Sequence, residues 1–241
     1  MSAVHRATSR PNDPPPPPFN APAARRLRAA LGMGPDHVAQ TLRVSYGLPY
    51  VTPHLVVAWE RGTAAPSGPE LSALAGALWC NPGELIGRPS TLREHRIARG
   101  LAAEDVARTV GLELHTYLRM EESGQWRGSD RQTAVLAGLL ALSLADLITV
   151  SGREDRLAEL LRSAATTRWQ GYVRPVGKLA PLDRRVLERA LQRLHQDYQG
   201  HMAATLSWGG GSGDAGDDGR RFLERVVDHF WAAVEEYSGS R

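Results

Sequence analysis

Lysine is almost missing from this chain: Lys178 is the only one, and arginine supplies nearly all of the 29 basic residues that stand against 26 acidic ones. Cysteine occurs once, at Cys80, so no internal disulfide can form, which fits a reducing cytosol. Cys80 ends an apolar helical stretch and reads as a small buried hydrophobe. Phenylalanine occurs three times, which leaves leucine, valine and alanine to build the core. No signal peptide is recognisable. The longest apolar run, residues 133–150, is too short for a membrane span and carries Asp146. A cytoplasmic protein without membrane contact is expected.

Chemistry-bearing strings are lacking too. There is no nucleophile elbow, phosphate loop, zinc-protease string or convincing pair of acids, so no catalytic residue is assigned and an enzyme is not expected. His195, His201 and His229 with Asp197 contain no histidine pair three or four apart, so no metal site is assigned. Residues 211–216 spell GxGxxG, but they follow a helix and lie among Asp214, Asp217 and Asp218. That is a linker rather than a dinucleotide site, and no cofactor is expected.

What is present is helical periodicity nearly from end to end, predicting an all-α fold. Residues 1–22, with Pro14 to Pro18 in succession, read as a disordered proline-rich arm. In residues 23–88, Leu27 and Leu31 share one face of a short helix that Gly32 stops. Pro35 opens a second helix with Val38, Ala39 and Leu42 inward. Thr52 and Pro53 have the chemistry of N-cap and first position of a third helix. That helix would turn Val56 and Trp59 inward and end at Gly62. Leu71, Leu74, Ala75 and Leu78 mark a fourth helix, and Asn81-Pro82 opens a short fifth through Leu85-Ile86.

The pattern then recurs. Gly100-Leu101-x4-Val106-Ala107-x2-Val110 repeats Gly32-Met33-x4-Val38-Ala39-x2-Leu42, and Leu136-Ala137-Gly138-x-Leu140 repeats Leu74-Ala75-Gly76-x-Leu78. Leu147-Ile148 matches Leu85-Ile86. Residues 89–150 therefore read as a second copy lacking a loop insertion present in the first. Residues 1–88 hold 8 arginines against 5 acids, and residues 89–150 hold 7 against 8. Residues 151–241 form a third, different unit. Arg156 to Ala165 is its first helix, residues 169–175 an irregular connection. Leu187, Leu191, Leu194, Tyr198 and His201 or Met202 then form a heptad-like seam, and a final helix runs from Phe222 to Val234. The seam suits either an antiparallel hairpin or a homodimer.

The doubled pattern, with Trp59-Glu60-Arg61-Gly62 closing its third helix, resembles the lambda-repressor/Cro-like (XRE) helix-turn-helix family, in two tandem copies of actinobacterial type. The resemblance implies a DNA-binding transcriptional regulator of double-stranded DNA, with the third helix of the first copy in the major groove. Carried over by position, Thr52, Pro53, His54 and Val57 would face base edges, and Arg61 and Arg43 would clamp the backbone. The corresponding candidates in the second copy are His115, Thr116 and Arg119. Three departures weigh against this. Pro35 and Ala103 stand where the family places a polar residue at the start of helix two. Ala58 stands where a basic or polar residue precedes the tryptophan. Glu121-Glu122 would repel phosphate unless the two carboxylates point away from it. The alternative is a non-enzymatic adaptor whose helix-turn-helix domains, the second above all, bind a protein partner. Arg127/Asp130 and Arg225/Asp228 match an Arg-x-x-Asp unit that binds cyclic dinucleotides in some regulators of this fold. At that spacing an ordinary surface ion pair is the simpler reading.

Overall fold

A computed structural model describes residues 15–207 and 215–239. Among these residues the chain has fifteen α-helices and no strand, so the all-α expectation holds. It divides into two compact units, residues 1–142 and 143–241.

The first unit begins earlier than the sequence suggests. Pro17 is buried, Phe19 forms an isolated antiparallel bridge with Ile86, and the Asn20 and Gly87 amides donate to Leu85 and Pro18 at 2.8 and 2.7 Å. Asn20 then caps α1 (Ala21–Ala30) by accepting from the Ala23 amide. Part of the stretch expected to be a disordered arm is thus built into the fold from Pro17 onward, and residues 1–14 of it lie outside the described residues. A lone aromatic and an Asn N-cap ahead of Ala-Pro are the signals, and the neighbouring prolines mask them. Pro14, the first of the proline run, lies outside the described residues.

Helices α2 (Pro35–Ser45), α3 (Pro53–Glu60), α4 (Gly68–Ala77) and α5 (Pro82–Leu85) follow, each with proline in its first turn, where the missing amide costs nothing. Gly32 and Gly62 adopt left-handed backbone (φ +66° and +70°) at the ends of α1 and α3, a conformation other residues take only at a cost. Val38, Ala39, Leu42, Val56, Trp59, Leu71 and Leu74 are fully buried together.

The second copy continues with α6 (Leu92–Ala98), α7 (Ala103–Val110), α8 (Leu114–Ser123) and α9 (Asp130–Leu140). Helix α6 does not start a separate body. Ile97 and Ala98 pack into the core of the first copy, and Gly83 admits the Ala98 carbonyl so closely that a Cβ would lie 2.9 Å away. Gly100 and Gly124 repeat the left-handed stops of Gly32 and Gly62.

The second unit opens with α10 (Leu144–Val150), whose Ile148 joins the C-terminal core. The sequence repeat places this helix at the end of the second copy instead. The match of Leu147-Ile148 to Leu85-Ile86 is real as a string. In the first copy, however, those residues are held by the Phe19 segment described above. Then come α11 (Glu154–Thr166), a 3-10 turn (Trp169–Tyr172), α12 (Val173–Leu179), α13 (Arg184–Ser207), α14 (Ala215–Glu224) and α15 (Val226–Ser238). The stretch expected to be irregular is therefore helical. The single final helix is two, broken at Arg225.

Leu187, Leu191 and Leu194 of α13 bury against Leu157, Leu161, Phe230 and Val234 of α11 and α15. The leucines of the seam are thus consumed within their own chain, while Tyr198 is half-buried and His201 and Met202 are exposed. Residues 208–214, which hold most of the glycine-rich string, lie outside the described residues. No single described helix is long and apolar enough to cross a membrane.

Candidate nucleic-acid interface

The third helix of the first copy is held by its cap, its buried face and one ion pair. The Thr52 hydroxyl accepts from the Leu55 amide (3.2 Å), which fixes the first turn and leaves Thr52, Pro53 and His54 exposed. Val56 and Trp59, each 1 % exposed, anchor the opposite face. Val57 is half-buried between the two faces, and Arg61 is exposed.

The ion pair joins α1 to α3. Arg28 Nε donates to Glu60 Oε1 (2.5 Å) and its Nη2 to Glu60 Oε2 (2.9 Å), while Nη1 donates to the Met33 carbonyl (2.6 Å). The two side chains are only 15 and 9 % exposed. The hydrogen bond to the Glu60 carboxylate, and its charge, raise the Arg28 pKa. Since Met33 opens the link to α2, one guanidinium fixes α1, the α1–α2 turn and the end of α3.

The second copy repeats this. Arg96 Nε and Nη2 donate to Glu121 at 2.6 and 2.9 Å, and Nη1 donates to Leu101 at 3.0 Å. Tyr117, fully buried, has its hydroxyl pKa driven up, first by burial and then by the Glu121 charge. Of the two adjacent carboxylates, Glu121 takes the alternative of pointing away from the surface. Its side chain is turned inward, 4 % exposed and neutralised by Arg96, and of the two adjacent acids only Glu122 is exposed. His115 and Arg119 are exposed on α8 and Thr116 is half-buried; exposed Glu122 shares this helix and exposed Glu113 precedes it.

Arg43 also has a structural contact that its sequence position does not reveal. Its Nη1 donates to the Val51 carbonyl (3.0 Å) and so pins the inserted loop that precedes α3. The loop is further closed by Leu48 and Val51 amide bonds, and Val51 is wholly buried. Arg43 is therefore first a structural latch, although the residue stays exposed.

The outer face of α2 escapes the sequence reading. Pro35 holds the position where a polar residue is expected, but His37 and Gln40 stand exposed along the next turns. They line a shallow groove of about 450 Å³ with Thr41, Val44 and Ser45. Their spacing relative to Pro35 is the available signal.

The remaining candidates resolve locally. Arg225 and Asp228 form a surface ion pair at 3.5 Å, and Arg127 donates to Gln125 (2.6 Å). Cys80 is half-buried, and burial aided by Glu84 pushes its thiol pKa up. No group of three or more potential metal ligands occurs among the described residues.

No protein-family profile, curated protein or solved structure matches this chain.

Proposed function

We propose that the chain is a DNA-binding transcriptional regulator of the lambda-repressor/Cro-like kind, cytoplasmic and non-enzymatic, with two tandem helix-turn-helix domains. The carrying observation is the braced α3: a short helix whose buried face and ionic clamp fix its attitude while Thr52, Pro53, His54 and Arg61 stand clear. Held in this way, a helix can enter the major groove without an ordering cost at the moment of binding. His54 would donate to a guanine edge and Thr52 would contact phosphate or a thymine methyl. Arg61 and the remaining nitrogens of Arg43 would hold the backbone, and His37 and Gln40 would widen the polar surface beside them. Recovery of a shared motif from genomic fragments, compared with a His54→Ala/Arg61→Ala variant, tests this.

A second reading applies to α8. Leu118, 37 % exposed, stands on the outer side of this helix among exposed His115, Arg119 and Glu122. An exposed apolar side chain among charges of both signs suits a protein partner better than a phosphate backbone, so the second copy is proposed to bind protein beside the DNA-reading first copy.

A further inference from the structure

We infer that the acid-free stretch of the C-terminal unit between Thr167 and Leu182 is a phosphate-binding surface for duplex DNA. This rests on the DNA-binding reading above and extends it to a unit that the reading leaves without a role.

The chain has no aspartate or glutamate between Glu159 and Asp183, yet it places Arg168, Arg174 and Lys178 there, all exposed. Several arginines elsewhere in the unit are neutralised by a neighbour on the same helix. Arg156 pairs with Glu159 (2.8 Å), Arg184 with Glu188 (2.8 Å) and Arg193 with Asp197 (2.9 Å). Among the described residues, Arg168, Arg174 and Lys178 make no such pair and no side-chain hydrogen bond. Three uncompensated cations within eleven residues, in a stretch that holds no acid to offset them, form a local positive field.

The segment is also held in place. The Thr167 hydroxyl donates to the Ser163 carbonyl (2.6 Å), and His195 Nδ1 meets the Ala165 carbonyl at 2.9 Å, pinning the end of α11. Trp169 packs against the core, so Arg168 projects from a fixed turn beside a cleft of about 640 Å³ that also takes in Gln170. Arg174 and Lys178 lie four apart on α12, on one face of that helix.

The chemistry favours a nucleic-acid backbone over a protein. A protein interface concentrates its energy in an apolar or aromatic anchor, and none of the exposed large hydrophobic side chains falls in this stretch. Phosphates need only spaced cations and amide donors, which is what the segment offers.

The test uses the full chain and its Arg168→Gln/Arg174→Gln/Lys178→Gln variant. Each binds a duplex recovered by wild type, read by fluorescence anisotropy between about 50 and 200 mM salt. The expected result is a shallower log–log salt slope, by about 0.9 for each phosphate no longer neutralised, with the recovered base motif unchanged. The charge-preserving variant Arg168→Lys/Arg174→Lys/Lys178→Arg should keep the wild-type slope. An unchanged slope in the glutamine variant, with wild-type circular dichroism, overturns the inference, as does an altered motif. Failure of the wild type to bind any duplex overturns both this inference and the reading beneath it. Loss of motif in His54→Ala/Arg61→Ala alone bears only on the α3 reading.

Discussion

Arg28 and Glu60 face each other through two parallel hydrogen bonds in a nearly dry setting, and Arg96 and Glu121 form the same pair in the second copy. Opposite charges so placed are worth most as a mutual requirement. Removing one leaves the other buried and unpaired, which costs about 3–5 kcal/mol. Arg28→Ala and Glu60→Ala are each expected to destabilise the first unit by that amount in urea denaturation. Arg28→Met/Glu60→Leu should recover most of the loss, because an apolar pair of similar volume carries no stranded charge.

The second copy yields a sharper contrast. Were Glu121 a surface acid repelling phosphate, Glu121→Gln would improve DNA binding and leave stability alone. Its burial against Arg96 predicts the reverse: a loss of about 3 kcal/mol and no gain in DNA affinity. Denaturation and a binding isotherm on the same variant decide it.

The pair also shows what can be read from sequence. Helix starts and stops are legible because they depend on local chemistry: Thr52-Pro53, Asn81-Pro82, Gly32 and Gly62 behave as their backbone preferences dictate. The recurrence of apolar spacing is legible because it survives divergence. The clamp is not, although Arg28 and Arg96 occupy matching places before Gly32 and Gly100. An arginine beside a helix reads equally well as a surface charge until the partner across the fold is known. Phe19 and Ile148 are misplaced by sequence for the same reason. Each packs on residues that nearby sequence does not identify.

Trp79 and Ala141 end α4 and α9 in the same left-handed conformation (φ +55° and +49°). For a bulky side chain this costs about 1–2 kcal/mol, and Trp79 is 85 % exposed, so it recovers little by packing. Trp79→Gly is therefore expected to raise stability by about 1 kcal/mol, read as an increased urea midpoint with unchanged slope.

His229 stacks on Phe222 with ring centroids 4.5 Å apart. Burial foremost, with the Arg225 charge and then His201, holds its pKa below the ordinary 6.5, against the opposing pull of Asp228 and Asp197. Because the folded state resists protonation, the stability this confers is full above the unfolded value and declines as pH falls below it. Thermal melts from about pH 7.5 to 5.5 should show a falling midpoint that His229→Gln makes shallower. An identical pH profile in both proteins would contradict that assignment.

The most direct measurement is selection of binding sites from fragmented genomic DNA by the full chain, beside the His54→Ala/Arg61→Ala variant. Both substituted side chains are exposed, so the variant should keep the wild-type fold. A DNA-reading α3 predicts a shared base motif with wild type that the variant loses, together with affinity that falls steeply as salt rises. Absence of enrichment at low salt, or a motif the variant recovers equally well, would contradict the claim that α3 reads DNA.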